Sequence, residues 1–587
     1  MRRIAPLLLV FPLGIAFAVF AACGSTPTGF GNDGGGSDSP FNLGDASGDG
    51  GSCVKCSADL HSVLDCNDNV LTTCPPDKGC GPGGSCVPAC ESAKSNKSTI
   101  GCDYYAVDPG TDGEANGSCF AAYIANLWTG DVTLDVEFAG QKLDAASIAR
   151  IPVGSGSNIT YQPLPNGKLP AGKMAILFLA DATSSTNPPL PTACPIAAGY
   201  TNPNASSEFT EMIHGFHISS SAPVVAYDIF PYGGAQSYIS SATLLIPTSA
   251  WDTNYVAVDA YARPVNAGAT AQPFIEIAAA EDGTDVTISP TAAIVGGNGV
   301  AGTGKGVPHT YSLNRGQVLQ LKQDAELNGS PIQSTKPIGV WGGNSCMDVD
   351  VSDVACDSAH QELFPVKALG YQYVAVKHKN RSGTDEKPPW RLVGAVDGTQ
   401  LSYDPGPPTG APLSINKGQL VQFSASAPFV VKSQDEKHPF YMGGYMTGQS
   451  SQGTDFGTGD PEWVNVIAPQ EYLAKYIFFT DPTMKNTNLV FIRKKAGDGT
   501  FRDVSLDCKG TLGGWLPVGN GDYQYTRVDL VVNGAAQGQC NNGLHEATST
   551  TGFGLTVWGW DTTVSYAYPS GASVLPINDV VVVPTPN

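Results

Sequence analysis

The sequence predicts an all-β protein of four repeated antiparallel units behind a small disulfide-rich module, and three observations carry that prediction. Glycine (69) and proline (44) punctuate the 587 residues too often for long helices but suit short strands joined by turns. One strand-and-turn pattern recurs four times after residue 102. Fifteen cysteines, eight of them between Cys53 and Cys102, fit an oxidising compartment. Hydrophobic residues at 41% are enough to fill packed cores, whereas Asp, Glu, Lys and Arg together reach only 14%. The 32 basic and 53 acidic side chains leave a net charge of −21, which phosphate backbones repel, so no nucleic acid is expected as a partner.

From the start of the chain, residues 1–22 read as a lipoprotein signal peptide. Arg2 and Arg3 precede an apolar run from Ile4 to Ala22, which ends Phe20-Ala21-Ala22-Cys23-Gly24. Cysteine behind two small residues resembles a bacterial lipobox, in which Cys23 is acylated and anchors the chain to a membrane; Phe20 stands where leucine is usual. Gly24, in place of aspartate, points to the outer membrane or cell surface. An ordinary signal peptide with an incidental cysteine is the alternative. With Cys23 lipidated, fourteen cysteines remain, an even number that can all pair. Residues 23–52 form a Gly/Ser/Asp-rich linker without hydrophobic period, a flexible tether. In the module at 53–101, Cys53-x-x-Cys56 lacks both the second close pair of a zinc knuckle and the strand–helix setting of a redox site, so a disulfide knot of open connectivity is the reading.

The repeated domain spans 102–587. An aromatic and an apolar run open each unit, at Tyr104-Tyr-Ala-Val107, Tyr255-Val-Ala-Val258, Tyr373-Val-Ala-Val376 and Tyr476-Ile-Phe-Phe479. Asp-Gly-Thr turns follow at Asp282, Asp397 and Asp498, where Asp-Gly supplies the positive φ of a tight hairpin. A second turn repeats as Asn314-Arg-Gly-Gln317 and Asn416-Lys-Gly-Gln419. Ser-(x)-x-Pro then recurs at Ser220, Ser334 and Ser426, with proline expected at the first position of a strand. Each unit closes on a proline, Pro247, Pro365, Pro469 or Pro576. After Pro576, Asp579-Val-Val-Val-Val583 reads as a fifth opening strand, of the kind that closes a propeller-like ring; tandem β-sandwiches are the alternative.

Together these segments resemble the N-terminal domain of the IgGFc-binding protein family. The resemblance is carried by Ser334-Thr-Lys-Pro-Ile-Gly-Val-Trp-Gly-Gly-Asn-Ser-Cys346, Cys356-Asp-Ser-Ala-His-Gln-Glu-Leu-Phe-Pro365, Asp397-Gly-Thr399 and Gly459-Asp-Pro461. It implies extracellular protein binding or matrix association without catalysis.

Two surface stretches stand out as candidate sites. Between Cys346 and Cys356, expected to pair, Asp348, Asp350 and Asp353 crowd together with Asp357 just beyond; several carboxylates at close range bind Ca2+, and the plainer reading is an exposed acidic loop. Lys377, Lys379 and Arg381, with Trp390 nearby, combine cations with an aromatic in a way that suits an acidic polysaccharide, against the plainer reading of a solvated loop. Arg493-Lys-Lys495 is a weaker patch of this kind. Cys508 and Cys540 are further disulfide candidates. The phosphate-loop-like Gly299-Val-Ala-Gly-Thr-Gly304-Lys305 is followed by Gly306 and no helical pattern, so no nucleotide is expected. The sequence thus points to a cell-envelope lipoprotein, not an enzyme, that presents a β-repeat domain for adhesion, matrix or glycoprotein binding. A polysaccharide hydrolase on the same scaffold and a structural spacer are the competing readings.

Overall fold

Four units of one design follow one another in the computed structural model, which describes residues 54–586 apart from 58, 66–68, 111–114, 116, 183–191, 202–206, 266, 350–355, 384 and 453–458. The lipobox with Cys23, the linker, Cys53 and Cys66 lie outside the described residues.

Each unit begins with an opening strand: Ile100–Ala106, Asp252–Val256, Gln372–Ala375 and Leu473–Phe479 in units I to IV. An inner strand follows (Phe120–Asn126, Pro273–Ala279, Pro389–Gly394, Asn486–Lys494). A long strand comes later, Phe216–Phe230, Pro331–Met347 and Leu544–Trp560; in unit III it is divided into Phe429–Lys432 and Phe440–Met446. A closing strand ends the unit (Ser241–Leu244, Asp357–Glu362, Glu462–Asn465, Ser565–Pro569).

The first half of the long strand pairs with the opening strand, and its second half pairs with the inner and closing strands. One strand therefore belongs to two sheets. In unit III those sheets are separate, and their facing side chains fill the space between them: Tyr373 meets Phe440 at 5.0 Å and Trp390 meets Phe429 at 5.7 Å between ring centroids. In units I, II and IV the two halves are thus joined by a bent strand, and in unit III they are separate sheets.

The repeated residues explain the bend. Ladder pairing of the long strand with the opening strand shifts between Ser219 and Val224, between Gln333 and Ile338, and between Thr548 and Phe553. Pro223 and Pro337 sit in these interruptions, so their missing N–H breaks no ladder bond. They lie inside long strands, not at strand starts as the sequence suggests. In unit III the bend is Ser433 to Pro439, between the two pieces, while Ser426-Ala-Pro428 merely precedes the first piece. In units I to III the serine at the bend donates to a carbonyl two residues on, Ser220 to Ala222 (2.8 Å), Ser334 to Lys336 (2.6 Å) and Ser433 to Asp435 (3.1 Å).

The tyrosine that opens each repeat holds the same bend. Tyr104, Tyr255, Tyr373 and Tyr476 are buried, and their hydroxyls donate to the carbonyls of Val224 (2.7 Å), Ile338 (2.8 Å), Phe440 (2.7 Å) and Phe553. The two turn motifs also meet. Asn314 Oδ1 accepts from Gly283 N–H and Asp282 Oδ1 from Arg315 N–H; Asn416 and Asp397 repeat the exchange with Gly398 and Lys417. Gly283 and Gly398 carry φ of 63° and 69°, the region the Asp-Gly turn requires.

Six disulfides join described residues: Cys56–Cys80, Cys74–Cys86, Cys90–Cys102, Cys119–Cys194, Cys346–Cys356 and Cys508–Cys540. Cys90–Cys102 fastens the helix Ala89–Asn96 of the cysteine-rich module to the first opening strand. Between units, the closing strand of unit II lies against those of units I and III, and the closing strand of unit IV against those of units III and I.

The run Asp579–Val583 is not a fifth opening strand. Residues 577–586 are extended without ladder partners and lie over units II and III. The run lacks the tyrosine that clamps every opening strand to a bend, and Pro584 and Pro586 remove backbone donors.

Candidate functional site

The signature strand Asp357-Ser-Ala-His-Gln-Glu362 is buried along its whole length, and its polar side chains stitch units together. Asp357 Oδ2 accepts from Ser565 N–H of unit IV at 2.6 Å, while Oδ1 accepts from Ser240 N–H ahead of the closing strand of unit I and from Ser358 N–H. His360 Nε2 lies 3.1 Å from Glu276 Oε2. Gln361 Nε2 donates to Ala242 O (2.8 Å) and Ala567 O (3.2 Å), bridging units I and IV. Glu362 accepts from Ile246 N–H (2.7 Å) and Trp251 Nε1–H (2.9 Å). From unit III, Asn465 donates to Glu362 O and Glu462 accepts from Ala567 N–H.

This hub is carboxylate-rich and buried. Burial pushes Asp357 well above the usual carboxylate range, and the charges of Asp460 and Glu462 push the same way. Burial likewise raises Glu362, against the hydrogen bonds from Ile246 and Trp251. Asp108 and Asp228, buried in unit I, are raised by burial and by the charge of Glu276 in unit II.

Of the predicted calcium ligands, two are described, Asp348 and Asp357. Asp357 belongs to the hub, where three backbone N–H groups occupy its oxygens, and Asp348 is buried. Asp350 and Asp353 lie outside the described residues. Among the described residues, one set of three ligand-type side chains is close enough for a metal, Asp507, Cys508 and His545. Its chemistry does not suit one: Cys508 is bonded to Cys540, and the His545 ring nitrogens already contact Asp507 (3.0 Å) and Asn541 O (2.7 Å).

The basic stretch after Val376 is also largely interior. The Lys377 ammonium is buried against Asp385 (3.1 Å) and the Glu386 carbonyl. Arg381 pairs with the buried Glu386 at 2.8 Å and donates to Thr447. Burial alone would raise Glu386, yet the charges of His378 and Arg381 beside it hold its carboxyl well below the usual range. Trp390 packs in the core of unit III and donates to Ala425 O. Of the four predicted glycan-binding residues, Lys379 alone keeps a half-exposed side chain, paired with Asp529 at 2.5 Å. Charge counting saw the cations and missed their partners: Asp385 and Glu386 follow within nine residues, but Thr447 and Asp529 are remote in sequence.

The patch that sequence ranked lower is the more exposed one. Arg493 lies 4.0 Å from the Trp515 ring centroid and 5.2 Å from that of Phe501, and Lys495 lies 5.8 Å from Phe501. All four side chains are partly solvent-accessible. Trp515 went unnoticed because it stands twenty residues downstream on a separate turn.

With this geometry in view, comparison with known proteins gives three findings. A family model described as IgGFc binding protein matches residues 241–559, from the closing strand of unit I to the end of the last long strand, and so includes the hub. The human protein named IgGFc-binding protein is 26% identical over 259 residues, 43% of this chain but 4% of that protein's length. No solved structure gives a significant match.

Proposed function

The chain belongs to the IgGFc-binding protein family, and on that premise we propose that it is a non-catalytic binding protein of the bacterial cell envelope. In this reading a lipid on Cys23 anchors it at the outer membrane or cell surface, and residues 23–52 tether the β-repeat domain so that its loops reach extracellular protein or polysaccharide. The family match carries the reading. The position of the signature supports it: Gln361 and Glu362 are engaged with other units and His360 with Glu276 of its own, which leaves ligand contact to the loops outside the hub.

The four units are further read as a closed ring. Two contacts support closure: the closing strands of units I and IV touch, and Ser98 and Thr99, just before the first opening strand, pair with Ser573 and Ala572, just after the last closing strand. The human relative's name refers to the Fc part of IgG; for this chain the ligand is placed only in the class of extracellular glycoproteins and polysaccharides.

The test is an array of matrix proteins, glycoproteins and glycans probed with residues 53–587, with and without Ca2+. Saturable binding within one class is expected. No binding under any condition, or turnover of a polysaccharide, would overturn the reading. For the anchor, Cys23→Ser should move the protein from the membrane fraction to the soluble one; unchanged membrane retention would remove the lipid from the account.

A further inference from the structure

Residues 577–586 are held as a guest is held. Their burial alternates: Asn578 and Val582 point inward, Val582 only 2% exposed, while Val581 and Val583 are 51% and 45% exposed. This is the period-two pattern of an extended segment lying on a surface. No strand ladder or disulfide secures it. The Asn254 side chain takes the place of a neighbouring strand: its Nδ2 donates to Val582 O and its Oδ1 accepts from Val582 N–H, both at 2.8 Å. Asn254 is itself buried, and its Nδ2 also donates to Ile332 O, which fixes the amide. Further along, Lys417 Nζ donates to Val583 O and Ser289 Oγ to Thr585 O. At the near end, Asn578 Nδ2 donates to the carbonyls of Val366 and Leu369, and Ile577 N–H to Lys367 O.

Those partners belong to units II and III or to the link between them, whereas the segment issues from unit IV. An open cleft lined by Glu436, Lys437 and residues 576–580 runs beside its first half. The segment could therefore leave its seat by turning at Pro576, with every strand ladder of unit IV intact.

We propose that the surface made by Asn254, Ser289, the Val366–Leu369 turn and Lys417 is a docking slot for an extended peptide with a β-branched anchor residue, and that the chain's own residues 577–586 occupy it and shut it to others. Recognition is by hydrogen bonds from the slot's side chains to the peptide main chain, with one buried apolar side chain as anchor. The tether gives the resident segment a high effective concentration, so a free peptide competes poorly while that segment is seated.

The experiment uses a fluorescent peptide of residues 577–586 and, as receptor, the full chain carrying Val582→Asp, whose own segment cannot seat. The variant is expected to bind the peptide at least tenfold more tightly than the unaltered chain. On the peptide side, Val582→Asp should weaken binding at least tenfold and Val581→Asp less than threefold, because Val581 faces solvent. A chain ending at Pro576 serves as second receptor should the variant misfold. Absence of binding to either receptor, equal binding to variant and unaltered chain, or equal losses from the two peptide changes would each overturn the proposal.

Discussion

The signature strand Asp357–Glu362 and the cluster of Lys377, His378 and Glu386 are both buried and rich in ionisable groups, yet their carboxyls are shifted in opposite directions. In the hub, carboxyls meet backbone N–H groups and one another, and burial pushes Asp357 and Glu362 up. In the basic stretch, Glu386 sits between His378 and Arg381 and is held down although it too is buried. Burial does not decide whether a carboxylate stays charged; the neighbouring cation does.

The difference is broken most sharply at Arg381. Arg381→Ala removes the guanidinium from the buried Glu386 carboxylate, leaving it His378 and Thr447, and is expected to cost about 3–5 kcal/mol in urea unfolding. It should also remove an acid-side dependence. A depressed folded-state pKa gives Glu386 a contribution that is present above the unfolded value of about 4.3 and lost as pH falls through the folded one. Unfolding midpoints recorded from pH 2 to 6 should flatten in the variant at the acid end; an unchanged profile would count against the charged pair.

In the hub the sign reverses. A raised folded-state pKa means that the contribution of Glu362 is fully present below about pH 4.3 and lost as pH rises through the folded value. Glu362→Gln places an amide NH2 where Ile246 or Trp251 needs an acceptor, which should cost about 1–3 kcal/mol, and should make the loss of stability between pH 5 and 8 shallower. An unchanged slope would mean that Glu362 is ionised over that whole range. Smaller still is Tyr476→Phe, which removes one clamp at a bend and should cost about 1 kcal/mol by denaturant midpoint. Smallest is Lys379→Ala, whose half-exposed pair with Asp529 should shift stability by less than about 0.5 kcal/mol; a shift above 2 kcal/mol would place Lys379 in the buried network with Arg381.

The repeat was legible in sequence because its recurring residues do local work that needs those residue types: a tyrosine hydroxyl for the bend, Asp-Gly for a positive φ, Asn-x-Gly-Gln to meet it. The all-β class followed from them. The two-sheet unit did not, because Pro223 inside a strand and Pro439 before one look alike until the pairing is known. Nor could sequence show that Lys377 and Arg381 face inward, since Arg381 is received partly by Thr447, sixty-six residues away. Asp579–Val583 has strand composition, and the absent tyrosine and the prolines that follow separate it from a true opening strand.

A strand shared by two sheets also sets how the protein answers a pull. Tension along Pro331–Met347 or Leu544–Trp560 loads the ladders of both its halves in shear at once, so each of those units should yield in a single force step. Unit III is built otherwise. Its strand is divided between Lys432 and Phe440, each piece is laddered into its own sheet, and one sheet can give way while the other holds. In a stretched array that unit is the extensible link.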